Sequence, residues 1–423
     1  MRLEFKAQKG YTCIKIKGGV KMERVVFLVD MNAFFISCES TRHPEIAGKP
    51  AAVAGDPENR TGIILTANYE ARKYGIRTTM VLREAFSLCP DLVVIPPDHR
   101  FYEEKSNEVM EILSSFTPVV EQNSIDEAWL DMTGTGKIFG EPLEASKNIM
   151  ERIKSELNLW CSIGISENKF LSKMASEMKK PLGITELWKK DIQEKMWILP
   201  VGSMYGVGKQ TSIKLQNMGM ITIKDLALSD RDYLISKLGK MGGEIHLLAN
   251  GIDMSPVAPH CEGDMKSIGR SVTLSHDTTD MEFAKSVLLE LSDDVGMSAR
   301  KYKKKGHTVQ IVIKYSDFKS ITRQMSVPPT CLVKDIYTAG VQLLKANWNR
   351  SPVRLLGISL SGFDKNHESK QISLFELPKS DNEATSNNKI DSLENAIHNI
   401  RQKYGSSIIK PGTLMDLDNN KKL

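Results

Sequence analysis

Ser124-Ile125-Asp126-Glu127-Ala128-Trp129-Leu130-Asp131 places two adjacent carboxylates inside a segment that otherwise has the apolar character of a strand. Side chains alternate faces along a strand, so Asp126 and Glu127 reach one cleft only from a strand end or a tight hairpin. Two like charges there are costly unless a cation neutralises them. The apolar run 25–29 predicts a buried strand, and it ends in Asp30. Three carboxylates on neighbouring strand ends suit oxygen-ligated Mg²⁺, as a pair of ions for phosphoryl transfer.

A solvated hairpin with ordinary surface acids is the alternative for Asp126 and Glu127, and these two residues alone would favour it. Other segments change this balance. In chain order the informative motifs are Asp30-Met31-Asn32-Ala33-Phe34-Phe35, Thr66-Ala67-Asn68-Tyr69-Glu70-Ala71-Arg72-Lys73, Ser124-Ile125-Asp126-Glu127, Gly164-Ile165-Ser166-Glu167-Asn168-Lys169 and Lys179-Lys180-Pro181. As a set, over about residues 23–362, they closely resemble the Y-family (translesion) DNA polymerases, in particular the bacterial polymerase IV group and its Gram-positive relatives.

The resemblance implies an α+β multidomain enzyme, a right-hand polymerase with palm, fingers, helix-hairpin-helix thumb and a βαββαβ little finger. The predicted boundaries are an N-terminal leader at 1–22, palm at 23–31 and 99–187, fingers at 32–98, thumb at 188–254, linker at 255–266, little finger at 267–362 and a flexible tail at 363–423. In the palm, strands and helices alternate irregularly, which predicts helices packed on one face of a largely antiparallel sheet. The implied activity is template-directed transfer from dNTP to a primer 3′-hydroxyl, with low fidelity across damaged template.

The predicted catalytic residues are Asp30, Asp126 and Glu127, and the main-chain carbonyl of Met31 completes the predicted metal site. They would hold two Mg²⁺ ions, with Mn²⁺ as a substitute. One ion lowers the pKa of the primer 3′-hydroxyl, and the other bridges the triphosphate and neutralises the leaving pyrophosphate. Relatives often have Asp where Asn32 stands. An amide offers an oxygen but no charge, so Asn32 is not counted as a ligand.

Five residues are predicted to contact the incoming dNTP: Phe34, Phe35, Tyr69, Arg72 and Lys180. Tyr69 and Arg72 share a helical face, where a guanidinium beside a hydroxyl makes a phosphate clamp; an incidental surface Arg is the alternative. Lys180 is by default an end-of-helix cation, and the resemblance makes it a triphosphate ligand. The resemblance also makes Phe35 the steric gate, a rigid ring that excludes a 2′-hydroxyl. For Phe34 a place in the core is favoured.

The segment 188–254 predicts short helices with glycine punctuation. An apolar-Gly-apolar-Gly turn that includes Gly206 and Gly208 leads into a helix at Lys209, and a second glycine cluster follows at 239–243. Such a turn exposes backbone N–H groups at the positive end of a helix, which suits one DNA phosphate. This helix-hairpin-helix pattern contacts the DNA backbone without reading its sequence. Glycines in plain helix turns are the alternative for either cluster alone.

Residues 267–362 carry 14 Lys and Arg against 8 Asp and Glu, a net charge of +6, whereas the whole chain has +5. The predicted order is strand, helix, strand, strand, helix, strand. Arg300, Lys301 and 303–305 lie together at the end of the first of these helices. A solvated helix face is the usual meaning of such a run, but the charge asymmetry favours a module that follows DNA phosphates.

The polar composition beyond residue 363 predicts a flexible tail. Within it, Gln371-Ile372-Ser373-Leu374-Phe375 is an apolar island that resembles the sliding-clamp-binding motif of bacterial polymerases, with Gln371, Leu374 and Phe375 as the predicted contacts. A chance match is the alternative, since the motif is short. Leu393, Ile397 and Ile400 then form one stripe of a short amphipathic helix.

Composition excludes several classes of protein. With 41% apolar and 26% charged residues, the 423-residue chain is a globular protein of two to four domains. No apolar run approaches a membrane span, and the leader has no signal-peptide core, although Met22 is a second candidate start. Six widely spaced cysteines, without metal-binding spacing, predict reduced, mostly buried thiols. These features predict a cytoplasmic protein, and the resemblance implies a monomer that binds primer-template DNA, dNTPs and a sliding clamp.

Two other functions compete with this reading. A non-catalytic DNA-binding or accessory protein could retain the polymerase shape, but the presence of Asp30, Asp126 and Glu127 weighs against it. The second competing function is that of a two-metal nucleotidyl cyclase or nuclease with a similar palm. The tandem glycine turns and the basic terminal segment argue against a small-molecule cyclase. No further block of acids suggests a proofreading nuclease on this chain.

Overall fold

The chain forms two units: Met1–Gly55 with Ile63–His260, and Asp56–Gly62 with Cys261–Leu423. The computed structural model describes residues 7–8, 11–12, 24–56, 62–259, 265–363, 392–394, 396–397, 399–401, 403–405 and 408–409. In the leader, the two-residue strands β1 (Ala7–Gln8) and β2 (Tyr11–Thr12) pair with each other. Among the described residues, no helix is long and apolar enough to cross a membrane.

A five-stranded sheet forms the centre of the first unit. Its strands are β3 (Val26–Met31), β7 (Val120–Gln122), β8 (Glu127–Asp131), β9 (Cys161–Ser166) and β10 (Ile184–Glu186). Their order is β10-β9-β3-β8-β7, antiparallel except for the β9–β10 pair. The fully buried β3 is therefore central, and its register sets Asp30 directly opposite Glu127.

Helices cover both faces of this sheet, which corrects the prediction of a single covered face. One face packs against α1 (Phe34–Arg42), α4 (His99–Ser114) and α6 (Pro142–Leu157). The other face receives α7 (Lys169–Met178), for which Gly164 makes room: a Cβ at Gly164 would lie 1.9 Å from the Ser172 carbonyl oxygen. Since Phe27 and Val29 point towards α4 and α6, the alternating Asp30 points towards α7.

A smaller sheet lies between α1 and α4 in the sequence. It contains β4 (Ala51–Ala54), β5 (Ile64–Ala67) and β6 (Val93–Ile95) in the order β5-β4-β6, with α2 (Tyr69–Lys73) and α3 (Leu82–Leu88) inserted. Asn68 ends β5 and caps α2 by accepting a hydrogen bond from the Ala71 N–H. This cap fixes the start of the helix that carries Tyr69 and Arg72.

The rest of the first unit is helical. The helices are α5 (Gly136–Phe139), α8 (Ile192–Lys195), α9 (Lys209–Asn217), α10 (Ile223–Ala227), α11 (Arg231–Leu238) and α12 (Lys240–Ala249). Gly242 and Gly243 lie inside α12 and are buried, and a Cβ at Gly242 would meet the Leu234 carbonyl oxygen at 2.2 Å. These two glycines therefore allow α11 and α12 to pack closely, and they do not form an exposed phosphate-binding turn.

The first residues of the predicted linker pack on the first unit. Val257 is buried against Trp129 and the β3 residues of the α7 face. Arg24 donates a hydrogen bond of 2.9 Å to the Ser255 carbonyl oxygen, and the Ala258 N–H donates one of 2.8 Å to Glu121. The chain is thus held to the sheet as far as Ala258.

The second unit has the predicted β-α-β-β-α-β order. Its elements are β11 (Ser267–Thr278), α13 (Met281–Lys301), β12 (Gly306–Tyr315), β13 (Ser320–Thr330), α14 (Val333–Asn347) and β14 (Val353–Phe363). The strands form one antiparallel sheet in the order β11-β14-β12-β13, and the two helices pack on it around a single apolar core.

A C-terminal helical segment contacts α13 through charged side chains. Arg300 at the last turn of α13 forms an ion pair with Glu394 and donates a hydrogen bond to the Cys331 carbonyl oxygen. Arg401 is buried and pairs with Asp293 at 2.8 Å. Of the predicted apolar stripe, Leu393 and Ile400 are exposed and Ile397 is half-buried. Arg300 is therefore neutralised within its own unit.

The cysteines agree with the prediction of buried, reduced thiols as far as the structure describes them. Cys38, Cys89, Cys161 and Cys331 are all buried and none forms a disulfide. Burial raises the pKa of both Cys38 and Cys161 to about 12, so neither is a thiolate near neutral pH.

Candidate active site

The predicted carboxylates meet where β3 ends and β8 begins. Asp30 and Glu127 are opposite each other in the antiparallel register, and both lie on the face covered by α7. Asp126 lies one residue before β8 begins. The alternation of side chains along the strand therefore does not force it onto the face opposite that of Glu127. Its main-chain oxygen accepts a hydrogen bond of 2.9 Å from the Met31 N–H, and its carboxylate accepts one of 2.6 Å from Ser124. The structure therefore brings Asp30 and Glu127 together on the face covered by α7, with Asp126 at the adjoining turn.

Lys173 on α7 contacts three carboxylates. Its Nζ lies 3.0 Å from Asp30 Oδ2, 2.7 Å from Glu127 Oε1 and 2.8 Å from Glu177 Oε1. Only 8% of the Lys173 side chain is exposed, so this ammonium is held inside the protein. Burial alone would lower the pKa of Lys173, but the charge of Asp30 and the hydrogen bonds to Glu127 and Glu177 raise it above the ordinary value.

Lys180 follows the end of α7 and reaches two of these carboxylates. Its Nζ lies 2.8 Å from Asp30 Oδ2 and 2.9 Å from Glu177 Oε1. Asp30, Glu127, Lys173, Glu177 and Lys180 thus form one ion-pair network, which we call the α7 cluster. It brings together residues from two strands and one helix of the first unit.

The pKa values of the carboxylates at this site are shifted in opposite directions. Burial raises the pKa of Asp30 above its ordinary value, and the charges of Lys180 and Lys173 offset this only in part. Burial, with the charge of Asp30, also raises the pKa of Asp126. Burial opposes ionisation of Glu177 as well, yet the hydrogen bonds from Lys173 and Lys180 lower its pKa. Burial therefore leaves the charged forms of Asp30 and Asp126 poorly hydrated, and a bound cation would stabilise them.

The donor set fits a divalent metal ion. One carboxylate oxygen from each of Asp30, Glu127 and Glu177 lies within 4.8 Å of the others, a separation that a shared ion can bridge. Asp126 is outside this group of three, although its pKa responds to the charge of Asp30. Carboxylate oxygens are the ligands that Mg²⁺ and Mn²⁺ prefer.

Tyr69 and Arg72 lie together on α2, as their spacing predicts. The Arg72 guanidinium is 4.8 Å from the centre of the Tyr69 ring, and its Nε donates a hydrogen bond to the Ala67 carbonyl oxygen. Burial raises the pKa of Tyr69, and the charges of Lys180 and Asp30 also act on it. The Tyr69 hydroxyl is therefore close enough to the α7 cluster for the charges of the cluster to act on it.

The two predicted aromatic contacts differ in their surroundings. Phe34 is 3% exposed and belongs to the core under the sheet, so it has no surface to offer a nucleotide. Phe35 is partly exposed and stacks on Tyr102, with ring centres 4.4 Å apart and planes 12° apart. The Tyr102 hydroxyl donates a 2.6 Å hydrogen bond to the buried Glu39. Phe35 is thus a ring supported from behind.

Asn32 is part of the framework. Its Nδ2 donates a 3.0 Å hydrogen bond to Ser162, and its Oδ1 accepts one of 2.9 Å from the Leu182 N–H. Both ends of the amide are engaged, and the side chain is buried. This agrees with leaving Asn32 out of the predicted ligand set.

The predicted DNA-contacting turn is exposed before α9. Gly206 has φ +89°, which favours glycine, and Gly208 is the residue before Lys209, the first residue of α9. A Cβ at either glycine would meet nothing within 4 Å, so the backbone can be approached closely from outside. Val207 between them is buried and holds the turn on the unit. Gln371, Leu374 and Phe375 lie outside the described residues.

Lys173 and Glu177 were not among the sequence predictions. A signal for them existed: Lys169, Lys173 and Glu177 recur every four residues, which places three charges on one face of α7. The spacing could not show what this face contacts, because Asp30 and Glu127 come from distant strands.

Comparison with known proteins gives consistent matches. Residues 29–177 match the model of the impB/mucB/samB family, and residues 265–374 match that family's C-terminal domain. A DNA polymerase IV from Clostridium kluyveri is 66% identical over 400 residues, 94% of this chain and 100% of that protein. One from Alkaliphilus oremlandii is 54% identical over 396 residues, 93% of this chain and 100% of that protein. A solved Y-family DNA polymerase chimera superposes with a TM-score of 0.73 at 24% identity, covering 81% of this chain and 100% of that one.

Proposed function

The chain belongs to the impB/mucB/samB family of Y-family DNA polymerases, and on this premise we propose that Asp30, Asp126 and Glu127, with the Met31 carbonyl, hold two Mg²⁺ ions. It is a DNA-directed DNA polymerase that performs translesion synthesis, with primer-template DNA and dNTPs as its substrates. When bound, the ions would activate the primer 3′-hydroxyl and neutralise the leaving pyrophosphate. Mn²⁺ would substitute for Mg²⁺.

One observation carries the metal proposal: Asp30 and Glu127 are direct partners in the β3–β8 register, on the same face. Antiparallel partners on one face are close neighbours, so these two carboxylates repel unless cations lie between them, and Lys173 supplies one such positive charge. Asp126 at the turn adds a third carboxylate beside Met31. Burial is the main cause of the raised pKa values of Asp30 and Asp126, so their charged forms are poorly hydrated and would gain from a bound cation, which supports this proposal.

Tyr69, Arg72 and Lys180 are the proposed ligands of the triphosphate. Arg72 is exposed and permanently charged, and its stacking on Tyr69 limits the directions in which its guanidinium can point. Lys180 is beside Asp30, so a phosphate bound there would lie next to the proposed ions. These residues bind and orient the nucleotide for in-line attack.

Phe35 is the proposed steric gate. The ring is fixed from behind by its stacking on Tyr102, which is in turn held by Glu39. A ring that cannot retreat excludes an additional hydroxyl more strongly than a mobile one, because the clash cannot be relieved. Phe34 is left out of the proposed site, because it is buried in the core.

We assign the palm, fingers, thumb and little finger to the boundaries that the sequence predicts. In the thumb, the exposed turn of Gly206 and Gly208 before Lys209 is the proposed seat for a DNA phosphate. The enzyme would act as a monomer in the cytoplasm, as the sequence predicts.

Primer extension on a defined template, with one dNTP at a time, tests the proposal. We expect incorporation of the complementary nucleotide in Mg²⁺, and no incorporation after chelation of the metal. Arg72→Ala should raise the KM for dNTP by roughly tenfold, because a charged hydrogen bond to phosphate is lost. Arg77→Ala, another exposed arginine after α2, is the control. An equal effect of both changes would contradict the role of Arg72.

A clamp interaction is proposed for residues 371–375, on their sequence alone. Leu374→Ala with Phe375→Ala should remove stimulation of synthesis by a bacterial sliding clamp and leave basal extension unchanged. Leu393→Ala, which removes an apolar residue elsewhere in the tail, is the control. Equal retention of the clamp by the double variant and the wild type would contradict this assignment.

A further inference from the structure

Two lysine ammonium groups share the same pair of carboxylate oxygens in the α7 cluster. Lys173 Nζ is 3.0 Å from Asp30 Oδ2 and 2.8 Å from Glu177 Oε1. Lys180 Nζ is 2.8 Å and 2.9 Å from the same two atoms. Asp30 is a proposed metal ligand, whereas Glu177 stands on α7 and is not on a strand of the sheet.

A metal ion and these ammonium groups compete for Asp30. An ion bound to a carboxylate lies about 2.1 Å from its oxygen, so an ammonium on that carboxylate would be within a few ångströms of a double positive charge. Glu127 offers Lys173 no alternative, because it is itself a proposed ligand. The two ammonium groups therefore need an acceptor that the ions do not use.

Glu177 meets this requirement. It is four residues after Lys173, a spacing that keeps side chains adjacent along α7, and it lies 2.9 Å from Lys180, which follows the end of the helix. Its side chain is 50% exposed, compared with 6% for Asp30, so it can follow the ammonium groups while the strand carboxylates stay in place.

We propose that Glu177 is a positioning residue that retains Lys173 and Lys180 when divalent cations bind Asp30 and Glu127, and that it thereby keeps Lys180 available to the triphosphate. The inference rests on the metal and triphosphate roles proposed above. Without the Glu177 charge, both ammonium groups depend on Asp30 and oppose the binding of a cation there.

Binding of Mn²⁺ to the full chain, measured by electron paramagnetic resonance without nucleotide, tests this. Glu177→Gln preserves size and should weaken Mn²⁺ binding about tenfold, as expected for the loss of a partly screened charged hydrogen bond. The control is Glu156→Gln, which removes a carboxylate that is 47% exposed and pairs with Arg152 four residues earlier. It should leave Mn²⁺ affinity unchanged. Equal affinities of Glu177→Gln and wild type would overturn the inference.

A second variant separates positioning from direct ligation, which the spacing of Asp30, Glu127 and Glu177 also allows. In a background with Lys173→Met and Lys180→Met, a positioning residue has nothing left to hold. Glu177→Gln should then change Mn²⁺ affinity less than about twofold, a non-additive result. A tenfold loss that persists in this background would mean that Glu177 binds the ion itself, and the inference would be wrong.

Steady-state kinetics gives a readout that needs no lysine variant. Because Glu177 is proposed to hold Lys180 for the triphosphate, Glu177→Gln should raise the KM for dNTP about tenfold while kcat falls much less. A lower kcat at unchanged KM would contradict the positioning role. Glu127→Ala tests the metal site separately from the role of Glu177. If this variant binds Mn²⁺ as wild type does, the proposed metal site is wrong, whatever the result for Glu177→Gln.

Discussion

The α7 cluster in the first unit and the basic end of α13 in the second unit both place lysine or arginine beside carboxylates, yet their surroundings differ. In the α7 cluster, Lys173 is 8% exposed and touches three carboxylates from three elements. At the end of α13, Arg300 is paired with Glu394, while Lys301, Lys303 and Lys305 are exposed. The α7 cluster therefore fixes the positions of its side chains, whereas the end of α13 presents exposed positive charge.

This difference shows how burial changes the energetic effect of a charged side chain. A buried ion pair is costly to break, since each partner left behind loses its compensation in a poorly hydrated place. Exposed charges act at longer range, and salt screens them. Changes in the first unit should therefore alter the reaction itself, and changes in the second should alter DNA affinity or local stability.

The largest effect is expected at the carboxylates. Asp126→Ala or Glu127→Ala should lower primer extension by about 1,000-fold, because loss of a metal ligand removes several kcal/mol of charge stabilisation. DNA binding, measured by fluorescence anisotropy, should stay close to wild type. Glu151→Ala, an exposed acid on α6, should extend normally. Extension above a few per cent of wild type in either variant would place the metal elsewhere.

Phe35→Ala tests the apolar part of the same cleft. We expect discrimination between dGTP and rGTP opposite template C to fall by roughly two orders of magnitude, because a steric clash is removed. Much of the dNTP activity should remain. Phe116→Ala, which removes a buried ring from the same core, is the control for general loosening. An active Phe35→Ala enzyme that still rejects rGTP would mean that Phe35 is only a core residue.

The exposed charges of the second unit are tested by salt. With Lys303, Lys304 and Lys305 changed to Ala, the slope of log affinity against log salt should flatten by about 2 to 3, if each contacts a phosphate. Lys137, Lys147 and Lys190, exposed lysines of the first unit, changed together to Ala are the control. If both triple variants have the same slope as wild type, the three lysines that follow α13 face solvent.

The smallest effect concerns the buried arginine of the C-terminal segment. Arg401→Met leaves Asp293 partly buried without its partner and should lower the opening free energy of α13 by about 1–2 kcal/mol. Hydrogen exchange of the α13 amides measures this. Lys403→Met, on the exposed side of the segment, should have no effect. Unchanged exchange in Arg401→Met would show that this segment does not stabilise the helix.

Much of the site follows from the sequence, for local reasons. An apolar run that ends in Asp30 and a strand that begins at Glu127 are periodic patterns, and strand ends are where charged side chains can share a cleft. The order of elements in the second unit follows from the same patterns. Tyr69 and Arg72 meet because three residues along a helix return to the same face.

Tertiary structure alone decided what these elements meet. Gly164 is an unremarkable strand residue until α7 packs on it, and this packing places Lys173 beside Asp30 and Glu127. Gly242 serves the contact between α11 and α12, and Arg300 is neutralised by Glu394, far along the chain. Periodicity reports which face of an element is apolar. It carries no information about which distant element covers that face, because this choice depends on the pairing order of strands and on packing across the whole unit.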